Sequence, residues 1–192
     1  MPQIFDEAGR EKVKKLLLDN GFELIKRHGL KKTSISDVTK KAGIATGTFY
    51  NFFKNKEEFV YQIVLYKRNI SKELFSKLSS DGKMDKEAFR KYIITLYASD
   101  NNIFEYLDDS EISQLKARWP KEYWRDGTND QDTIMHILKT LKNPRPDCDW
   151  QIIGNLFKSI ALIGHGKNQL YTDKYEETIE ILADSIIRYI FG

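Results

Sequence analysis

The 192-residue sequence predicts an all-α protein of about nine helices, and three observations carry that prediction. Apolar residues return at intervals of three and four through nearly every long stretch. Only four prolines occur, so few positions forbid a helix interior. Helix-start and helix-stop residues flank the stripes: Ser34 with Asp37 three residues on, Asn55 with Glu58 three residues on, and Gly43 at a stop. A hydrophobic content of 41% and a charged content of 31% describe a globular chain. No run approaches the ~18 to 20 apolar residues of a membrane span. The stretch MPQIFDEAGREK is too charged for a secretory leader, so a cytoplasmic address is expected. Cys148 is the single cysteine, which excludes an intrachain disulfide and a thiol-based metal cluster.

The elements follow in order. From about Asp6 to His28, Val13, Leu17, Gly21 and Leu24, flanked by Leu16 and Ile25, repeat at helical spacing until Gly29. Gly21 weakens this helix by about 1 kcal/mol relative to alanine. A short helix from about Ile35 to Ala42, a break at Gly43, a second short helix from about Thr46 to Phe52 and a third opening at Lys56 make a helix-turn-helix with a supporting helix. Phe59, Ile63, Tyr66, Ile70 and Leu74 carry the third helix to about Ser79, where Ser79-Ser80-Asp81-Gly82 is the first clear loop. Further helices are predicted over 85–99, with Phe89, Ile93, Leu96 and Tyr97, and over 103–119, with Phe104, Leu107, Ile112 and Leu115 inward. The aromatic stretch from Trp119 to Gly127 reads as a loop or a short turn of helix, and 128–141 as a helix with Ile134, Ile137, Leu138 and Leu141. Pro144 and Pro146 make the next segment irregular. The last two helices, 148–166 and 173–191, are apolar on more than one face, the latter opened by Asp173 with Glu176 three residues on. A helix apolar on two sides is buried on two sides. A subunit interface is therefore expected through Trp150, Ile153, Phe157, Ile160, Ile179, Leu182 and Ile186 of a homodimer, while Ile152, Leu156 and Ile163 form a second stripe.

The mild net charge of +3 is unevenly spread. Residues 1–60 hold 12 Lys and Arg against 8 Asp and Glu, whereas the rest hold 19 against 20. The basic excess sits on the helix-turn-helix, as an electrostatic footprint for nucleic acid should. Ala42-Gly43-Ile44, Gly47-Thr48-Phe49-Tyr50, Phe53 and Lys56-Glu57-Glu58-Phe59 resemble the DNA-binding domain of the TetR family of bacterial transcriptional regulators. The resemblance covers roughly the first third of the chain, including the run from Leu24 to Gly29; the remainder shares only a helical layout.

That resemblance implies a DNA-binding domain over 1–55 and an effector-binding and dimerisation domain over 56–192, with 56–79 as connecting helix. It also implies the partners: double-stranded DNA at a palindromic operator, a second copy of the chain through its last two long helices, and a small-molecule effector. By position Thr46, Gly47, Thr48 and Asn51 face the major groove, Tyr50 and Lys56 match positions that contact the DNA backbone, and Thr33 and Ser34 are phosphate ligands. Ala45 stands where the family has a capping serine, which costs the reading helix ~1 kcal/mol unless Thr46 takes over. No Arg, Lys or Gln points at bases, so specificity is expected from threonine methyls and hydroxyls, Asn51 and DNA shape.

Tyr92, Tyr97, Phe104, Trp119, Trp124, His136 and Phe157 are the expected lining of an effector pocket, with ordinary core as the bland alternative for each. Asp108, Asp109 and Glu111 read as a solvated face at a helix start. His28 and His165 lack companions at metal-ligand spacing, and no nucleophile with base and orienting group is visible. Neither a metal, a cofactor nor an enzyme is expected. Two other readings stay open: a helical small-molecule-binding protein or enzyme with an incidental helix-turn-helix, and a DNA-binding regulator controlled by a partner protein.

Overall fold

A computed structural model describes residues 6–99, 103–119 and 130–192. Among them are nine α-helices: α1 (Glu7–His28), α2 (Ile35–Ala42), α3 (Thr46–Phe49), α4 (Lys56–Leu78), α5 (Lys86–Ala98), α6 (Asp109–Arg118), α7 (Asp130–Lys139), α8 (Trp150–His165) and α9 (Tyr175–Phe191). Short 3-10 turns occupy Ile103–Tyr106, Lys167–Gln169 and Thr172–Lys174. The described residues form no strand beyond the isolated bridges Ser80 to Lys83 and Met84 to Leu141. No helix among them is long and apolar enough to cross a membrane. The expected pocket residue Trp124 lies outside the described residues.

The chain divides into two compact units, one of residues 1–68 and 103–119, the other of residues 69–102 and 120–192. This differs from a boundary at 55/56 followed by one continuous body. Residues 103–119 fold with the first unit because side chains far apart in sequence hold them there. Asp108 caps α6, and Glu111 three residues on completes a capping box by accepting from Asp108 N at 2.9 Å. The same Glu111 carboxylate accepts from Lys31 N at 3.1 Å, and Lys31 Nζ reaches Asp108 at 2.7 Å. Arg118 pairs with Glu57, and Trp119 Nε1 donates to the Glu57 carbonyl at 3.3 Å. Glu111 is therefore buried and fully used, which corrects its reading as a solvated carboxylate. The Lys31 ammonium holds the Asp108 carboxyl well below the usual carboxylate range.

The centre of the first unit is a triangle of aromatic rings. Phe49, Phe53 and Phe59 lie with ring centroids 4.9 to 5.2 Å apart and are almost wholly buried. Leu17, Phe22 and Ile25 of α1, Val38 of α2 and Val60 and Ile63 of α4 join the same buried set. Gly21 sits within it; a β-carbon there would stand 2.2 Å from Phe59 Cζ. The glycine that looks like a weakness in α1 is thus what admits the Phe59 ring.

In the second unit, Met84, Phe89, Ile93, Ile134, Ile153, Ile160, Ile179, Ile186 and Ile190 form the core shared by α5, α7, α8 and α9. Arg90 of α5 pairs with Asp184 and Glu180 of α9, and Tyr175 OH donates to the Tyr97 carbonyl at 3.2 Å. Asp173 does not cap α9 as the sequence suggests; it lies in the 3-10 turn Thr172–Lys174, and α9 starts at Tyr175 without a capping side chain. Four residues of the expected interface stripe pack inside their own unit. Ile153, Ile160, Ile179 and Ile186 are at most 1% exposed inside their own unit, and Trp150, Phe157 and Leu182 are half-buried around them. The large apolar side chains left exposed on these two helices are Ile152 and Leu162 of α8 and Ile181 of α9, at 44%, 69% and 67%.

Candidate nucleic-acid interface

The amphipathic pattern of α2 fixes how the helix-turn-helix is held. Ser34 Oγ accepts from Asp37 N at 3.1 Å, and Asp37 Oδ2 accepts from Ser34 N at 3.0 Å and from the Ser34 hydroxyl at 2.6 Å. Donation from Ser34 keeps the Asp37 carboxyl below its ordinary value. At the other end Gly43 adopts φ 69° and ψ 28°, a left-handed conformation that favours glycine. Its N–H bonds the Lys40 carbonyl at 3.2 Å, and Ile44 N bonds the Thr39 carbonyl at 3.0 Å, closing the corner into α3.

The reading helix is shorter than its sequence pattern. α3 covers Thr46–Phe49, and the chain continues through Tyr50–Phe52 as tight turns, with Asn51 N bonded to the Thr48 carbonyl at 3.2 Å and Phe52 N to the Phe49 carbonyl at 2.9 Å. Ala45 gives no side-chain cap and Thr46 does not replace it, because its hydroxyl meets Thr39 Oγ1 at 3.2 Å instead. Phe53 N still bonds the Phe49 carbonyl at 3.1 Å, and both rings lie in the aromatic core.

Thr46, Gly47, Tyr50 and Asn51 are exposed on this element, and Thr48 is half-exposed. These five predicted DNA-facing residues come together on one short surface. Three others have different roles. Thr33 is 3% exposed and its hydroxyl donates to the Gly29 carbonyl at 2.8 Å, so it is a helix-linking residue with nothing left to offer phosphate. Ser34 is exposed, but its hydroxyl proton goes to the negatively charged Asp37. Lys56 Nζ donates to the Leu30 carbonyl at 2.6 Å, and burial pushes its ammonium below the ordinary value. It staples the start of α4 to the loop before α2.

Sequence reasoning misses two residues. Arg10 donates from Nη2 to the Asn51 carbonyl at 2.8 Å, and its guanidinium lies 4.9 Å from the Phe52 ring centre, so the first turns of α1 brace the turn behind the reading helix. No local pattern links positions 41 residues apart. Thr39 is buried beneath the corner, and its signal is present: it occupies the apolar stripe with Ile35, Val38 and Ala42.

The described residues of the expected effector lining are divided between the two units. Trp119 is buried in the first unit, 5.6 Å from the Tyr61 ring, and Phe104 lies in the 3-10 turn of that unit. Tyr92, Tyr97, His136 and Phe157 belong to the second unit; Tyr92 packs edge-on to Phe75, Phe157 to Phe89, and His136 is exposed.

Comparison with known proteins meets this geometry. A family signature described as "Bacterial regulatory proteins, tetR family" matches residues 17–63, from the middle of α1 to the first turns of α4. The chain is 30% identical over 108 residues to the fatty acid metabolism regulator protein of Bacillus subtilis, covering 53% of this chain and 51% of that protein. It spans about half the length, or less, of the first curated relatives it matches. A TetR-family transcriptional regulator of Haemophilus influenzae superposes with a TM-score of 0.64 at 19% identity, covering 97% of this chain and 100% of that one. SmeT of Stenotrophomonas maltophilia, in complex with triclosan, superposes with a TM-score of 0.62 at 18% identity over 94% of this chain and 92% of that one. These two likenesses show the fold. With the capped corner and the buried aromatic triangle on the page, residues 17–63 carry the helix-turn-helix of the TetR family of bacterial regulatory proteins.

Proposed function

We propose that this protein is a homodimeric repressor that reads a palindromic operator with α3 and the turn behind it, and that a small molecule bound by the second unit releases it. The observation that carries the reading is the exposed group Thr46, Gly47, Thr48, Tyr50 and Asn51 on an element locked from behind by the glycine corner and the aromatic triangle. A rigid platform with its polar side chains outward suits entry into a major groove. Gly47 adds support, because nothing lies within 4 Å of where its β-carbon would be. The protein itself does not need a glycine there; a close-approaching DNA surface would.

The exposed Ile152 and Leu162 of α8 and Ile181 of α9 support pairing with a second copy, which would cover them. A twofold pair sets two reading elements on two half-sites. Effector control is supported by SmeT, a repressor found in complex with triclosan, and the effector must bind one separation of the heads better than the other to shift anything. Fluorescence anisotropy on duplexes from the region before the protein's own gene, across a salt series, tests the reading. Binding that is saturable, sequence-selective and weakened by salt is expected. A monomer that ignores every duplex at low ionic strength would overturn it.

A further inference from the structure

Two hydroxyls meet across the glycine corner. Thr39, 1% exposed on α2, and Thr46, exposed at the start of α3, have their Oγ1 atoms 3.2 Å apart. Thr39 Oγ1 also lies 3.1 Å from the Ser36 carbonyl oxygen. A carbonyl only accepts, so the single proton of Thr39 is used on Ser36. The contact between the two threonines then needs the proton of Thr46. The reverse assignment would set lone pairs against each other between Thr39 Oγ1 and the Ser36 carbonyl, in a part-buried place where an unmade hydrogen bond is costly. The protons therefore run one way, from Thr46 to Thr39 to Ser36, and each bond polarises the next.

Thr46 has thus committed its only donor inward, and what remains to it is acceptor capacity. A phosphate oxygen, which also only accepts, finds no partner in such a hydroxyl. In the major groove the donors are the exocyclic amino groups of adenine N6 and cytosine N4, while guanine O6, thymine O4 and purine N7 are acceptors. We propose that Thr46 reads one base by accepting a hydrogen bond from its exocyclic amino group, and that the buried Thr39, which touches no DNA, is the positioning residue that sets this polarity. The inference rests on the DNA-reading role given to α3 above.

The test begins with selection from randomised duplexes by the wild type and by Thr46→Val, which identifies the base pair whose preference Thr46 sets. At that pair the amino base is replaced by an analogue lacking only the amino group, purine for adenine or pyrimidin-2-one for cytosine. In a second duplex the purine of the pair is replaced by its 7-deaza analogue, which lacks only the N7 acceptor. Loss of the amino group should weaken wild-type binding about threefold to tenfold and leave Thr46→Val unchanged, while the 7-deaza duplex binds as before. Thr39→Val lets the Thr46 hydroxyl turn and donate, so discrimination between amino and keto bases at that position shrinks. Thr39→Ser keeps the hydroxyl chain and should keep the wild-type pattern, and it serves as the second variant should Thr39→Val unfold. Sensitivity to the 7-deaza change without sensitivity to amino removal would overturn the proposal, and so would a Thr46→Val variant whose base preferences match the wild type at every position. A wild-type protein that selects no sequence fails earlier, at the DNA-reading role itself, before any analogue is used.

Discussion

Two glycines of the first unit make opposite predictions from their surroundings. Gly47 faces open space, so Gly47→Ala should stabilise α3 by up to about 1 kcal/mol through helix propensity. If that space belongs to DNA, the same variant binds its operator several-fold more weakly, and thermal unfolding set beside anisotropy separates the two effects. A β-carbon at Gly21 would collide with Phe59 Cζ, and that ring is wedged against Phe49 and Phe53. Gly21→Ala should therefore destabilise by about 1 to 3 kcal/mol, because overpacking exceeds the propensity gain. A urea midpoint at or above the wild type would sink that account. Sequence alone weighs both glycines on the same propensity scale; what distinguishes them is which atoms come back from elsewhere in the chain.

At the scale of the element, the reading unit was largely legible because its signals are local. Ser34, Asp37 and Gly43 announce the ends of α2, and the structure puts a capping box and a left-handed residue there. The length of α3 was not legible, since the apolar pattern that runs to Phe52 does not tell a helical turn from the tighter bonds that Asn51 and Phe52 make to Thr48 and Phe49. The roles of Thr33 and Lys56 were hidden too: their partners are the carbonyls of Gly29 and Leu30, and burial rather than residue type decides what they can reach. The α2 cap has a pH signature. Asp37 has its carboxyl depressed in the folded state from an ordinary value of 3.8, so its contribution is present above that value and fades as the pH falls below it. Ser34→Ala removes the cap acceptor and the donor to Asp37 together and should cost about 1 kcal/mol at pH 7. Urea midpoints at pH 7 and pH 3 should show the gap between variant and wild type narrowing in acid, and a gap that stays constant would exclude the Asp37 contribution.

For the whole molecule, the sequence gives away that two faces of α8 are apolar and does not say which one the chain buries itself. The stripe of Ile153 and Ile160 became core, and in the stripe beside it Leu156 and Ile163 pack partly against that core while Ile152, like Leu162, stays exposed. Leu162→Glu should accordingly leave helix content unchanged and convert a dimer to a monomer in sedimentation velocity. Ile153→Glu places a charge in a position with no exposure and should unfold the second unit. A Leu162→Glu protein that sediments as the wild type would remove this face from the interface.

The first unit is interrupted in sequence, since α6 and the turn before it return to it after residues 69–102. During synthesis the ribosome therefore releases α1 to α3 well before the chain that bonds Lys31 and Glu57 has been made. The nascent head must wait, with those bonds unmade, until Trp119 has cleared the exit tunnel, and only then can its last layer close.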